Sequence, residues 1–319
     1  MPFNGSMPQR FGLVNFNVDE FNSGVDDLRT IVNADVDRLP ERPYAHRVFD
    51  LPACVVDAWI NPNLGPLSDS NDVSYLFPGL RERIERGTSL EQLVDEMDEA
   101  GVEKGLLCSG YSGAGDHVWV IAARDKFPQR FRLSHVVDPR DGMAAVRLVE
   151  RLVTSEGYTL IRMLGLQTRL YYNDPAYYPV YAKCVELGVP VGLNVGFPGP
   201  QVPSKYQDPM PIDDVAAFFP ELTIVLQHGG EPWVDTCVKL MVKWPRIHYM
   251  TSAIAPKHIP PAIIAYANTR GVDRVMFASD YPLLTHQRCM DEVRALPLRD
   301  NDRFTKFVAG NAQRLFFAS

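Results

Sequence analysis

The chain has 319 residues, 46% hydrophobic and 22% charged, with 32 Lys and Arg against 39 Asp and Glu and a formal net charge of -7. Such usage is ordinary for a globular protein and excludes fibrous repeats and wholesale disorder; the length allows one large α/β barrel or two ordinary domains. The acidic balance lacks the basic stripe of a nucleic-acid binder, no apolar run reaches the roughly 18–20 residues of a membrane helix, and Met1–Val14 shows no basic stretch leading into an apolar core, so no nucleic acid, membrane or export signal is expected.

Residues 1–53 read as an irregular N-terminal arm with a short helical piece near Gly24–Asn33. The first strand is predicted over Cys54–Ile60, followed by a long insertion, 62–87, rich in Asn, Pro, Gly, Leu and charge. Thr88-Ser89-Leu90-Glu91 fits a capping box, Leu90, Leu93, Val94 and Met97 then fall at helical spacing, and Gly101 closes the helix. Further strands are expected over Lys104–Ser109, Phe131–Val137, Thr159–Met163, Val189–Val195, Leu222–Gln227, Ile247–Thr251 and Arg274–Ala278. Between and after them, helices are expected over Val118–Lys126, Met143–Thr154, Ala176–Leu187, Ile212–Phe219, Val234–Lys243, Lys257–Asn268 and Arg303–Phe316. No fixed-period repeat, G-x-G-x-x-G or P-loop occurs. Eight strands in β-then-α order predict a (β/α)8 TIM barrel over 54–319, with the arm at 1–53 and a long loop after the first strand as a candidate lid or subunit contact.

Five cysteines, Cys54, Cys108, Cys184, Cys237 and Cys289, lie scattered in apolar contexts without a C-x-x-C pair. They read as reduced, buried thiols of a cytoplasmic protein, with a Cys108 nucleophile as the lesser alternative.

Four segments at expected strand ends carry a resemblance. They are Val55-Val56-Asp57-Ala58-Trp59-Ile60-Asn61, Leu187–Gly196 (LGVPVGLNVG), Phe219–Gly230 (ending Gln227-His228-Gly229-Gly230) and Gly271–Pro282 (ending Ser279-Asp280-Tyr281-Pro282). Gly310–Phe316 adds an N-A-x-R-L ending. In this order and spacing the chain resembles the amidohydrolase superfamily, in the branch of aminocarboxymuconate semialdehyde decarboxylase, from about residue 54 to 317. The resemblance implies a divalent ion, commonly zinc, held by two histidines of a first-strand D-x-H-x-H, a fifth-strand histidine and an eighth-strand aspartate. The sixth-strand histidine implies an acid/base or a further ligand.

This sequence departs from that pattern. Trp59 and Asn61 stand at the two first-strand positions and Asn194 at the fifth-strand one; only His228 and Asp280 match. Indole offers no lone pair to a cation, and a neutral amide oxygen suits zinc poorly. Two ligands fall short of the three of a catalytic zinc site. No cofactor is therefore expected at the usual place; the alternative is a divalent metal such as zinc in a shifted site that recruits His135 or Glu231 beside the residual candidates His228 and Asp280. The expected catalytic pair is His228 and Asp280, and the expected substrate contacts are Trp59, Asn61, Asn194 and Arg162. Plainer readings stand beside each: His228 as a core histidine, Asp280 as a loop cap or partner of a buried base, Trp59 and Asn61 as filling of the barrel mouth, and Arg162 as half of a strand-end ion pair. Tyr171, Tyr172, Tyr177, Tyr178 and Tyr181 read as helix-face or loop packing, and His286 as a surface or loop residue.

Two functions follow. One is a hydrolase or carbon–carbon lyase, decarboxylase-like, acting on a small carboxylate without the usual ion, with His228 as acid/base, Asp280 orienting it, and Asn61 and Asn194 as neutral donors to a substrate oxygen. The other is a metal-degenerate accessory subunit of a heteromeric complex with a homologous, metal-complete barrel, including assemblies of altered, oxygenase chemistry. The first allows a homo-oligomer, and the second requires a hetero-oligomer whose contacts would use the arm and the 62–87 loop.

Overall fold

The computed structural model describes residues 47–62, 72–111, 114–197 and 199–318. Most of the expected arm, its helical piece near Gly24–Asn33 and part of the loop after the first strand fall outside them.

Eight parallel strands follow one another in space in chain order: β1 Val56–Ile60, β2 Lys104–Ser109, β3 Phe131–Val136, β4 Tyr158–Met163, β5 Val191–Asn194, β6 Ile224–Gln227, β7 Ile247–Met250 and β8 Val275–Met276. Backbone bonds from Ala58 to Phe277, Asp280 to Trp59 and Asn61 to Tyr281 join the end of the series to its start, with a parallel bridge between Ile60 and Tyr281. The architecture is a (β/α)8 TIM barrel, as the sequence pattern predicts. Its strands are almost wholly buried because helices cover them outside and their own side chains fill them inside.

The helices Met143–Thr154 and Val234–Lys243 begin and end where periodicity places them. Elsewhere local chemistry shifts the bounds. The cap of Leu90–Ala100 is Ser89, not Thr88: Ser89 Oγ accepts from Gln92 N at 3.1 Å and Gln92 Oε1 accepts from Ser89 N at 3.0 Å. Thr88 instead lies 3.2 Å from the Tyr281 hydroxyl. The expected helix Lys257–Asn268 divides into a turn at Pro256–His258 and a helix Pro261–Ala267, because Pro260 and Pro261 lack the N–H groups a continuous helix requires. The C-terminal helix runs as Asn301–Thr305 followed by two π-helical turns, Lys306–Gly310 and Gln313–Phe317. Leu80–Arg86, inside the insertion, and His286–Val293 are helices that the sequence pattern left as loop.

The N-A-x-R-L ending anchors the C-terminus to β8. Buried Asn311 donates from Nδ2 to the carbonyls of Val275 at 2.7 Å and Val272 at 3.0 Å. The free cysteines are buried apart from the half-buried Cys54. Among the described residues no helix is long and apolar enough to cross a membrane.

Candidate active site

The C-terminal ends of the strands gather all six expected residues. Trp59 and Asn61 lie at the end of β1, Arg162 is the penultimate residue of β4, Asn194 ends β5, His228 follows β6, and Asp280 follows β8. In a TIM barrel this face carries the chemistry, because the loops after the strands converge there.

The backbone turns sharply at two of the six. His228 (φ 66°) and Asp280 (φ 59°) are left-handed, a conformation that costs a non-glycine residue roughly 1–2 kcal/mol. Gly229 (φ 85°) and Gly230 (φ 73°) take the next two left-handed positions, where no side-chain penalty applies. The H-G-G run thus ends β6 abruptly and aims the imidazole into the barrel mouth.

Arg162 is the centre of the cluster. It is fully buried, and its guanidinium donates to Asn194 Oδ1 from Nη2 at 2.7 Å and from Nε at 3.1 Å. It also contacts His228 Nε2 and donates to the Tyr111 hydroxyl. Its carbon lies 4.2 Å from the Trp59 ring centroid and 5.2 Å from that of Tyr111, so two π-faces flank the cation. Among the described residues no carboxylate comes within ion-pair distance of it, so the strand-end ion pair is not formed. Asn194 accepts from Arg162 through its Oδ1, which leaves the amide Nδ2 as its donor group. Its carbonyl is held by the Tyr172 hydroxyl at 2.6 Å, and Tyr172, Tyr177 and Tyr181 are core residues.

His228 and Asp280 face each other. His228 Nδ1 lies 3.4 Å from Asp280 Oδ2 and 3.0 Å from Ser252 Oγ. Because Nε2 faces a guanidinium donor, the ring carries its proton on Nδ1. Burial, and then the Arg162 charge, hold the imidazole well below its ordinary range, so it is neutral. Burial pushes the Asp280 carboxyl up to about 7, against the lowering effects of Arg162 and of the Asn61 amide that donates to Oδ1. The Trp59 N–H acts on the same carboxyl without reaching hydrogen-bond geometry, and Asn61 Oδ1 is likewise without a partner among the described residues. Cys108, beside this cluster, is pushed up to about 12 by burial and is no nucleophile at neutral pH.

A divalent ion fits this donor set poorly. The indole has no lone pair to give, the two amides are neutral, and a permanently charged guanidinium rests against the very imidazole nitrogen that would ligate the ion. Among the described residues no three His, Cys, Asp or Glu side chains gather around one point. His135, the expected recruit, bonds Ser109 Oγ at 2.7 Å in a chain that continues to Tyr158 and His117, and Glu231 is exposed.

Tyr111 escaped the sequence reading, and His286 is placed differently from it. Tyr111 completes the Arg162 environment; its loop is fixed by Asp116 Oδ2, which accepts from the N–H groups of Gly110 at 2.8 Å and Tyr111 at 3.0 Å. His286 is not a surface residue. It is wholly buried, bonds Asp57 Oδ2 through Nε2 at 3.1 Å and stacks on Tyr281 at 4.8 Å. A histidine six residues after the S-D-Y-P aspartate was the only sequence signal for it.

The amidohydrolase family model matches residues 71–318. The chain belongs to the amidohydrolase family. Among curated relatives, this amidohydrolase is 26% identical to a gamma-resorcylate decarboxylase of Rhizobium sp. (strain MTP-10005) over 238 residues, 60% of this chain and 71% of the relative. Among solved structures it is similar to an uncharacterised TIM-barrel protein of Bordetella bronchiseptica, with a TM-score of 0.68, 23% identity, and coverage of 82% of this chain and 97% of that one. It is also similar to a dihydroxybenzoic acid decarboxylase of Polaromonas sp. JS666 with bound manganese and the inhibitor 2-nitroresorcinol. There the TM-score is 0.59, the identity 20%, and the coverage 84% of this chain and 97% of that one. At these identities the two structures bear on the fold alone.

Proposed function

We propose that this amidohydrolase removes CO2 from a small aromatic carboxylate, with His228 and Asp280 as its catalytic pair and no divalent ion at the family's usual place. The observation that carries this reading is a buried carboxyl held near neutrality, Asp280 at about 7, beside an imidazole held neutral. Such a pair can deliver and recover a proton near neutral pH. The name of the gamma-resorcylate decarboxylase relative supports the substrate class.

The reaction consumes one proton. Protonated Asp280 delivers it to the ring carbon that bears the carboxylate; the carbon–carbon bond breaks, its electron pair restores the aromatic ring, and CO2 leaves. Asp280 ends as a carboxylate, stabilised by the Asn61 amide and the Nδ1–H of His228, and is reprotonated from solvent past His228, the more exposed of the pair.

Incubation with gamma-resorcylate, followed by CO2 release, tests this. Turnover by the wild-type chain should fall roughly 10²–10⁴-fold in His228→Ala and in Asp280→Asn. Undiminished rates in both variants would remove the pair from the chemistry. Turnover only after mixing with a homologous barrel that keeps the D-x-H-x-H histidines would instead assign the accessory role.

A further inference from the structure

We propose that the Arg162 guanidinium takes the place of the family's catalytic cation and forms the binding site for one carboxylate. In this site Trp59 Nε1 is a second donor and Asn61 Oδ1 the acceptor for a hydroxyl adjacent to that carboxylate. This deepens the decarboxylase reading but is read out by binding, not by turnover.

Position is the first ground. From β4, Arg162 reaches Asn194 on β5 and His228 after β6, meets Tyr111 after β2, and lies 4.2 Å from the Trp59 ring on β1. Its head therefore lies among the strand tips whose histidines and aspartate would hold the ion in the family pattern. A cation and this guanidinium cannot share that space without strong repulsion across a dry interior.

Charge is the second ground. Guanidinium remains ionised in proteins, yet every hydrogen-bonding partner of Arg162 is neutral: an amide oxygen, an imidazole nitrogen and a phenol oxygen. A fully buried charge whose hydrogen-bonding partners are all neutral, with the Asp280 carboxyl near it but not at ion-pair distance, is an anion site whose charge is not fully met. A carboxylate matches the planar fork in a bidentate pair. It would enter past Tyr111 and His228, the partially exposed partners, taking over the contact that the Tyr111 hydroxyl now makes.

The third ground is the polar atoms left over. Asn61 Oδ1, an acceptor, is buried without a partner among the described residues, and Trp59 Nε1, a donor, is directed at the Asp280 carboxyl without reaching hydrogen-bond geometry, although buried polar groups are normally paired. A lone carboxylate satisfies the donor but not the acceptor. A carboxylate with a neighbouring hydroxyl satisfies both, which selects hydroxy acids over the simple acid.

The test is calorimetric titration of the full chain with gamma-resorcylate and with benzoate, in the presence of EDTA. Wild-type protein should bind gamma-resorcylate more tightly than benzoate, with affinity indifferent to EDTA and weakened by salt. Arg162→Gln should bind at least about tenfold more weakly and Arg162→Lys in between, as loss of a charge-assisted pair requires. Asn61→Leu should erase the preference for gamma-resorcylate. Equal affinity in a folded Arg162→Gln variant, no binding of either acid by the wild type, or binding lost in EDTA and restored by Mn2+ would each overturn the proposal. Should Arg162→Gln fail to fold, Mn2+ titration of the wild type followed by electron paramagnetic resonance decides. A free-ion signal undiminished by protein supports the guanidinium as the resident cation, and one equivalent of bound Mn2+ that is lost in Asp280→Asn contradicts it. Tight binding without CO2 release would refute the decarboxylase reading while leaving the carboxylate site intact.

Discussion

Two buried aspartates at the β1–β8 seam live in opposite circumstances. Asp57 accepts from the backbone N–H groups of Trp59 at 3.1 Å and Ser279 at 2.9 Å, from the Ser279 hydroxyl, and from His286 Nε2 at 3.1 Å. Its carboxylate is saturated and wholly enclosed. Asp280 accepts a hydrogen bond from Asn61 and faces His228 at 3.4 Å, in a setting where burial outweighs the nearby positive charge. Saturation makes Asp57 a rivet between the first and last strands. Incomplete satisfaction leaves the other able to gain and lose a proton, as a reacting group must.

The contrast breaks most visibly in stability. Asp57→Ala should cost roughly 3–5 kcal/mol, because it strands His286 and the Ser279 donors in a dry seam. Asp280→Asn should leave the denaturation midpoint nearly unchanged, since a neutral amide of the same shape replaces a carboxyl that burial already pushes toward its neutral form. Urea unfolding of the two variants compares them directly, and equal losses would mean that both aspartates are structural.

A smaller and sharper effect is expected from pH. If protonated Asp280 is the acid, kcat/KM should fall about tenfold per pH unit once pH exceeds about 7. The raised carboxyl also sets the sign for stability. Its contribution is complete below the ordinary carboxylate range and is lost as pH rises through about 7. His228, held below its ordinary range, acts in the other direction, losing its contribution as the solution is acidified. Asp280→Asn should flatten the alkaline limb of both profiles; a limb that persists in that variant belongs to another group.

The same contrast governs what the sequence could reveal. The barrel was legible because buried parallel strands such as β5, inside Val189–Val195 (VPVGLNV), are near-continuous apolar runs and because helices such as Val234–Lys243 repeat at 3.6 residues. His228 and Asp280 were legible through H-G-G and S-D-Y-P. The Asp57–His286 pair was not, because its partners lie 229 residues apart and His286 opens a helix with a weakly apolar sequence, HQRCMDEV. Tyr111 was hidden for a similar reason: its loop is set by Asp116, and no local pattern announces a phenol on an arginine from another strand. The position of Arg162 was readable, but its lack of a carboxylate partner is a property of packing alone.

The smallest expected effect tests the central claim most directly. Exhaustive dialysis against a chelator, followed by elemental analysis and a turnover assay on gamma-resorcylate, should yield metal-free protein with an unchanged rate, because Arg162 supplies the positive charge from within the chain. A rate that collapses on dialysis and returns with one equivalent of manganese or zinc would contradict the account.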